Sequence, residues 1–350
     1  MNRKPLLPLL LIVQIIGLQC LSFFPAAVEK YYSNGLYPII SRLFRSIFGW
    51  LPFSFGDLLY GILIIWALFW LFKNRKTSLK SKVIGVISFM SVVYFAFHFL
   101  WAFNYYRLPL FAKMNIKTEY SDAQLFNFTQ KLIAKTNAVQ LAIMKDSTKK
   151  VVTPYSHQEI LSKSLNGYQN LSKTYTFFSY TNPSIKTSLF SYPLTYMGFG
   201  GYLNPFTNEA QVNNLPPIYN FPATTCHEMA HQMGFASESE CNFIGFLAST
   251  QNEDLHFKYA GYTYALRYCL ANIGAKDEVK FEQLLKTINP GILKNFQESE
   301  DFWKSHRSFI DKGFEIFYDN FLKMNQQKDG MDSYSKFVDL LVNYYDGKEL

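Results

Sequence analysis

Long apolar runs alternate with short polar breaks over the first hundred residues of the chain. The apolar runs cover residues 5–28, 51–72 and 83–103. Each is long enough to cross a bilayer as a helix, which takes about 20 apolar residues. A cleaved signal peptide is the alternative for the first run, but its apolar core would be unusually long, which favours a retained span. The pattern therefore predicts a membrane module of three transmembrane helices over residues 1–103.

From residue 104 onward, polar and apolar positions alternate as in a water-soluble, mostly helical domain. Helices are predicted to begin near Ser121 and near His157, and residues 186–203 are predicted to form strands. A turn then leads into a further strand over residues 210–213. No repeat or low-complexity linker divides residues 104–350, so they are expected to form one domain. The predicted fold class is mostly α with a small β-sheet, an α+β domain that follows the three-helix membrane module.

The net charge of +8 is concentrated in the membrane module. Residues 1–103 contain ten Lys and Arg against two acidic residues, and the rest of the chain contains 24 of each sign. Five of the ten basic residues lie in residues 73–82, between the second and third runs. Because loops rich in Lys and Arg stay in the cytoplasm, the segment after residue 103 is expected outside it. The basic charge therefore reflects membrane topology, with the lipid bilayer as a partner, and gives nucleic-acid binding little support.

The candidate chemistry lies in the segment His227-Glu228-Met229-Ala230-His231, an HExxH motif. Residues four apart lie on one face of a helix, so both imidazoles can bind one metal ion, for which Zn²⁺ is expected. Glu228 is then placed to act as the general base that takes a proton from water. A surface helix with two unrelated histidines is the alternative, but this triplet is rare by chance among six histidines in 350 residues.

A catalytic zinc site needs a third protein ligand and one open position. Gly234 permits a turn after the motif, and a second helix is predicted from Ser237 onward. Glu238 shares its helical face with small or polar residues that would let this helix lie close to the motif helix. Glu240 instead shares its face with large apolar residues. Glu238 is therefore the expected ligand and Glu240 the alternative, and Asn242 is expected to orient a ligand.

This pattern resembles the glutamate-type zinc metallopeptidases, in which an HExxH helix is followed by a Glu-x-x-[Ala/Cys]-[Asp/Asn] helix. The matching residues here are Glu238, Cys241 and Asn242. The seven positions from His231 to Glu238 are fewer than in most of these enzymes and are closer to the glycine turn of metzincins. No third histidine follows Gly234, however, so the metzincin pattern is incomplete.

The whole chain is more closely similar to an uncharacterised bacterial family of membrane-anchored candidate zinc peptidases, described only as a domain of unknown function (DUF3810). The similarity covers the membrane segments, residues 200–213 and residues 227–242. It implies a zincin-like domain with the site described above, in a multi-pass protein of the bacterial inner membrane with its C-terminal domain in the periplasm. It implies no substrate.

Two further parts of the site are expected from the segments that flank the motif. An extended peptide substrate can add to a sheet edge through backbone hydrogen bonds. The expected edge is either the stretch from Gly198 to Leu203, which contains Gly200 and Gly201, or the stretch from Glu209 to Asn213, with an ordinary hairpin as the alternative.

A donor to the oxyanion of the tetrahedral intermediate is expected from a Tyr-rich helix after the motif. The candidates are the tyrosines of this helix, Tyr259, Tyr262, Tyr264 and Tyr268, and His256 just before them, with Tyr262 and His256 named first, although tyrosines at helical spacing more often only pack. The preferred hypothesis is thus a membrane-anchored zinc metallopeptidase that acts on peptides or proteins outside the cytoplasm. The alternative is a noncatalytic, zinc-stabilised envelope scaffold protein.

Overall fold

The computed structural model describes residues 6–327 and 334–350, which are mostly helical with one three-stranded sheet, as predicted. The helices up to the sheet are α1 Leu6–Leu21, α2 Pro25–Ala27, α3 Tyr37–Phe48, α4 Phe55–Lys73, α5 Leu79–Leu100, α6 Leu110–Met114, α7 Asp122–Met144 and α8 His157–Thr174. The helices within and after the sheet are α9 Ser191–Tyr196, α10 Phe221–Gln232, α11 Glu238–Gln251, α12 Leu255–Gly274, α13 Glu278–Leu285, α14 Pro290–Ser305, α15 Phe309–Met324 and α16 Tyr334–Tyr344. The strands are β1 Ile185–Thr187, β2 Gly201–Asn204 and β3 Glu209–Val212.

Two of the described helices, α4 and α5, are by themselves long and apolar enough to cross a membrane. Their ends lie within four residues of the predicted runs 51–72 and 83–103. Each helix has a serine N-cap: the hydroxyls of Ser54 and Ser78 accept hydrogen bonds from backbone N–H groups of the first turn. A third span exists only if α1 and the helical stretch Pro25–Phe48 are counted together as one bent span.

The first predicted span, residues 5–28, is therefore not one straight helix. The described part of α1 has 16 residues, which cover about 24 Å of the helix axis. Pro25 interrupts the helix because proline excludes helical geometry from the residue before it, and Phe24 has φ −124° and ψ 53°. The chain bends there by 97°. Pro5, the first residue of the predicted span, lies outside the described residues.

The sheet has the strand order β1-β3-β2, with β1 parallel and β2 antiparallel to β3. The prediction of strands over residues 186–203 is confirmed only at the two ends of this range, β1 and β2, because the chain leaves the sheet at Ser188 and forms α9 between them. Asp57 of α4 accounts for this exit, since its carboxylate accepts hydrogen bonds from the Ser188 hydroxyl (2.9 Å) and the Leu189 amide (2.7 Å). Pro193 has no amide hydrogen to donate to a ladder, which also disfavours a strand.

The motif helix α10 lies at the centre of the helical domain. It packs against α8, α11, α12, β2 and β3, and ten of its 12 residues are buried. Its closest neighbour is α11, where a Cβ atom on Gly245 would lie 2.9 Å from the backbone nitrogen of His227. The small face of α11 therefore packs on the motif helix, which is the arrangement predicted from the residues around Glu238.

Two buried acidic residues connect the membrane helix α4 to the sheet. Glu209 of β3 accepts hydrogen bonds from the amides of Phe55 (3.2 Å) and Gly56 (2.5 Å), at the first turn of α4. A carboxylate at this end of a helix is stabilised by the helix dipole. Asp57, the next residue of α4, accepts a hydrogen bond from the hydroxyl of Tyr202 in β2. The sheet beside the motif is therefore fixed to a helix that is long and apolar enough to cross a membrane.

Candidate metal centre

Helices α10 and α11 bring three candidate ligands together. His227 and His231 lie one turn apart on α10, and their Nε2 atoms are 3.1 Å apart. The chain turns at Gly234, which has a φ of +87°, and α11 begins at Glu238. The carboxylate of Glu238 lies 3.2 Å from Nε2 of His227 and 3.6 Å from Nε2 of His231.

These separations fit the coordination shell of zinc. Two ligand atoms that are each about 2.1 Å from zinc, at a tetrahedral angle, lie roughly 3.4 Å apart. The three measured separations range from 3.1 to 3.6 Å. One oxygen of Glu228 is also close, because its ligand atom and those of His227 and His231 all lie within 4.8 Å of one another. Two imidazoles and a carboxylate are also a donor set that zinc uses in hydrolases.

The Nδ1 atom of His231, on the side of the ring that faces away from the candidate zinc position, makes two contacts that fix the ring. Its Nδ1 atom lies 2.9 Å from the carbonyl oxygen of Phe235 and 3.3 Å from the sulfur of Cys241. A proton on Nδ1, donated to the carbonyl, leaves the Nε2 lone pair available for a metal. Cys241 thus contacts the ring nitrogen that faces away from the candidate centre. Nδ1 of His227 is buried and has no hydrogen-bond partner within the described residues.

Glu228 lies beside the ligands in a buried position between α10 and β2. Burial raises the pKa of its carboxyl group to about 7, although the two histidines oppose this shift. Gly201 of β2 makes room for the carboxylate, because a Cβ atom there would lie 2.6 Å from Oε1 of Glu228. The other oxygen, Oε2, is buried without a hydrogen-bond partner among the described residues. A pKa near neutrality suits a group that accepts and returns a proton.

The two glutamates of α11 have different surroundings. Burial disfavours the charged form of Glu238, but the imidazoles of His231 and His227 outweigh this effect and lower its pKa well below the usual range. The hydroxyl of Tyr318, on α15, donates a 2.5 Å hydrogen bond to Oε1 of Glu238. Glu240 instead accepts a 2.6 Å hydrogen bond from the amide of Leu110, and burial raises its pKa to about 7. Glu238 is the one whose carboxylate contacts the histidines.

Side chains from the N-terminal third of the protein cap the carboxyl end of α10. The last carbonyls of a helix have no partner within it, and here four external donors supply hydrogen bonds. Trp101 Nε1 donates to the carbonyl oxygen of His231 (3.0 Å). The hydroxyls of Tyr37 and Ser41 both donate to the carbonyl oxygen of Gln232 (2.9 and 3.0 Å). Arg107 Nη1 donates to the carbonyl oxygen of Gly234, just after the helix (2.8 Å). Arg107 is itself held by two 2.8 Å hydrogen bonds to the carboxylate of Glu29. The position of the candidate ligands therefore depends on the segment that contains the membrane helices.

The three candidate ligands and Glu228 all face one large cavity, which has a volume of about 1120 Å³. His227, Glu228, His231 and Glu238 line it together. Part of His227 and Glu238 remains exposed, 13% and 20% of the respective side chains. The site is therefore accessible to a substrate, unlike a metal site that is closed by protein on every side.

The two candidate edge stretches occupy different positions in the sheet. β3, which begins at Glu209, is the central strand and pairs on both sides, so it cannot accept a further strand. The side chain of Asn213, just after β3, donates hydrogen bonds to Thr195 (2.8 Å) and to the carbonyl of Phe199 (3.0 Å). β2 is an edge strand, and Gly200 and Gly201 both line the cavity.

The other predicted site residues are not all at the cavity. Asn242 lines it, but its Oδ1 accepts a 2.7 Å hydrogen bond from the hydroxyl of Tyr264. Of the candidate oxyanion donors, Tyr264 and Tyr268 line the cavity, whereas Tyr259, Tyr262 and His256 are not among the described residues of its wall. Tyr262 is buried on the other side of α12, and His256 lies 3.4 Å from Asp254.

Three residues around the ligands were not expected from the sequence. Tyr318 contacts Glu238, Trp101 contacts the backbone of His231, and Gln232 donates hydrogen bonds to the carbonyls of Ser184 and Asn208 (2.9 and 2.7 Å). Each contact joins segments far apart in the chain. No local pattern marks such residues, although Gln232 directly follows the motif and is a buried polar residue on a helix that must fasten to the sheet.

The comparison with known proteins agrees with the similarity stated from the sequence. Residues 32–342 match the family described as protein of unknown function DUF3810. No curated protein and no solved structure matches the chain. The similarity to glutamate-type zinc metallopeptidases therefore has no support beyond the two sequence patterns, the HExxH motif and the residues Glu238, Cys241 and Asn242. Because the match covers most of the 350 residues, the chain belongs to the DUF3810 family.

Proposed function

We propose that this protein is a membrane-anchored, zinc-dependent metallopeptidase with a zincin-like catalytic domain. The observation that carries the proposal is the convergence of His227, His231 and Glu238, at separations suited to one zinc ion, beside Glu228 in an accessible cavity. A structural zinc site would normally be closed by a fourth protein ligand. Access to the ligands therefore favours catalysis over a scaffold role.

The roles of the residues follow from their positions. His227, His231 and Glu238 would bind the ion, and the Tyr318 hydroxyl would orient the Glu238 carboxylate. Zinc bound there would polarise a peptide carbonyl and lower the pKa of water at the open coordination position. Glu228 would take a proton from the attacking water on one carboxylate oxygen and return it to the leaving amine nitrogen.

The substrate would bind in an extended conformation along β2. Gly200 and Gly201 are on the cavity side of this edge strand, next to Glu228. Backbone hydrogen bonds to β2 would give affinity without demanding one sequence. They would also align the scissile carbonyl with the space between Glu228 and the histidines.

The basic loop supports an active site outside the cytoplasm, in the periplasm of a bacterium. Residues 73–82 connect α4 to α5 and contain five basic residues and no acid. A loop of this kind is retained on the cytoplasmic side. Phe55 and Trp101, at the other ends of these helices, are on the side of the catalytic residues.

The test compares purified full-length wild type with Glu228→Gln. Both are expected to bind one zinc ion per chain, and only the wild type is expected to cleave peptides from a mixed library, with the chelated wild type also inactive. Glu253→Gln, at an exposed glutamate, is the matched control and should keep full activity. If zinc binds to both proteins but neither cleaves any peptide, the noncatalytic zinc-stabilised scaffold becomes the better explanation.

A further inference from the structure

The cavity at the metal centre extends along the membrane helices. Where the cavity runs along α4 and α5, its wall consists of uncharged, mainly aromatic and aliphatic side chains. These are Phe97, Tyr94, Val93, Met90 and Phe89 of α5 and Tyr60 of α4. A site for water-soluble peptides alone does not require such a wall.

The depth of this wall corresponds to one leaflet of a bilayer. From Trp101 to Phe89, both of which line the cavity, there are 12 residues. At 1.5 Å per residue these cover about 18 Å of the helix axis. The hydrocarbon core is about 30 Å thick, so one leaflet contributes about 15 Å. The cavity therefore reaches the depth of acyl chains in the leaflet next to the catalytic domain.

Part of the wall is also open at the surface of the membrane helix. Phe89 and Met90 are 40% and 54% exposed while they line the cavity. On the other side of the cavity, Phe317 of α15 lines it and is 63% exposed. Phe321, one turn further along α15, packs against Phe97 with ring centroids 6.0 Å apart. The cavity is thus bordered by apolar groups that lipid can contact, and α15 lies beside its membrane end.

We propose that this part of the cavity binds the hydrocarbon chain of a lipid-anchored peptide and so presents the adjoining peptide bond to Glu228. The inference rests on the proposed peptidase function and specifies its substrate class. An acyl chain needs no hydrogen bonds from the cavity wall, which suits the uncharged aromatic and aliphatic side chains of α5 that line it.

The test uses full-length, zinc-loaded Glu228→Gln in phospholipid vesicles. The probe is a peptide whose N-terminal acyl chain ends in a photoreactive diazirine, and labelled residues are mapped by mass spectrometry. Label is expected on the residues of α5 and α15 that line the cavity. An excess of the same acylated peptide without diazirine should remove the label, and an excess of the unacylated peptide should not.

A pair of tryptophan substitutions tests the place of binding. Val93→Trp fills the cavity and should reduce labelling at least about tenfold, because the loss of a few buried methylene groups is enough for this change in affinity. Val92→Trp is the matched control, since Val92 is 52% exposed and is not among the described residues of the wall. Thermal unfolding of both variants checks that each is folded.

Three outcomes would overturn the inference. In the first, the two tryptophan variants are labelled equally. In the second, the label is spread over the lipid-facing surfaces of α1 and α4. In the third, a phospholipid with the same photoreactive chain labels the cavity residues as strongly as the acylated peptide does. Equal cleavage of acylated and unacylated peptides by the wild type would also overturn it while the peptidase function stands. Labelling of Glu228→Gln does not require hydrolysis. Specific labelling of this variant, together with no cleavage by the wild type, would therefore contradict the proposed peptidase function but support the acyl-chain site.

Discussion

The indole nitrogen of Trp101 donates a 3.0 Å hydrogen bond to the backbone carbonyl of His231. Trp101 directly follows α5, which has the length and composition of a transmembrane helix, and His231 is a candidate zinc ligand. The two side chains also pack with ring centroids 6.0 Å apart. One residue therefore joins the end of a helix that is long and apolar enough to cross a membrane to the candidate metal centre.

Replacing Trp101 with Phe should lower the free energy of unfolding by about 1 to 2 kcal/mol, because it leaves the buried carbonyl of His231 with one hydrogen bond fewer. Thermal unfolding of the full-length protein in detergent measures this change. Trp50→Phe is the control, since Trp50 is 76% exposed. Equal unfolding temperatures for the two variants would show that the hydrogen bond contributes nothing.

Replacing Gly201 with Ala should reduce kcat/KM for peptide cleavage by about 100-fold while zinc content is unchanged. The new Cβ atom would lie 2.6 Å from Oε1 of Glu228 and 2.7 Å from the carbonyl oxygen of Gln211, so the catalytic carboxylate must move. Gly313→Ala is the control because its Cβ atom would have no neighbour within 4 Å. Retained activity in Gly201→Ala would refute the role assigned to Glu228.

Replacing Tyr318 with Phe should weaken zinc binding by about tenfold, because the hydroxyl no longer orients Oε1 of Glu238. Competition with a chelating dye gives the dissociation constant. Tyr192→Phe, at a tyrosine that is 69% exposed, should bind zinc as the wild type does. A loss of affinity in both variants would point to a general effect of the purification or the fold.

Zinc binding at pH 6 should release more protons from the wild type than from Glu228→Gln. With a pKa of about 7, Glu228 is roughly nine-tenths protonated at pH 6, and a nearby cation favours its charged form. At pH 8 the carboxyl group is already ionised, so the difference should disappear. Calorimetric titration in buffers of different ionisation enthalpy measures the released protons. A difference that is the same at both pH values would be inconsistent with Glu228 as its source.

Local patterns were sufficient to predict the elements that carry the motif. The helical spacing of His227 and His231 and the small face of α11 around Gly245 both follow from side-chain periodicity, and the structure has both helices. The proximity of Glu238 to the histidines follows from the same two elements. That these residues bind zinc remains a prediction.

The errors arose where long-range contacts or single prolines decide the structure. Pro25 breaks the first apolar run, and the contacts of Asp57 take the chain out of the predicted strand at Ser188. Tyr318 is 80 residues from Glu238 in the chain, and its position depends on the packing of α15 against Phe97 and Tyr105. A sequence pattern contains no information about such a pair unless the tertiary packing is known.

The donors that cap the carboxyl end of α10 have a consequence for where the proposed enzyme can work. Tyr37, Ser41 and Trp101 all lie before residue 104 in the chain, so a cut just after Trp101 would separate them from the fragment that contains α10. The shed fragment would lose support directly behind its metal ligands. Release from the membrane would therefore switch the proteolysis off, and its action would be restricted to targets that share the same lipid surface.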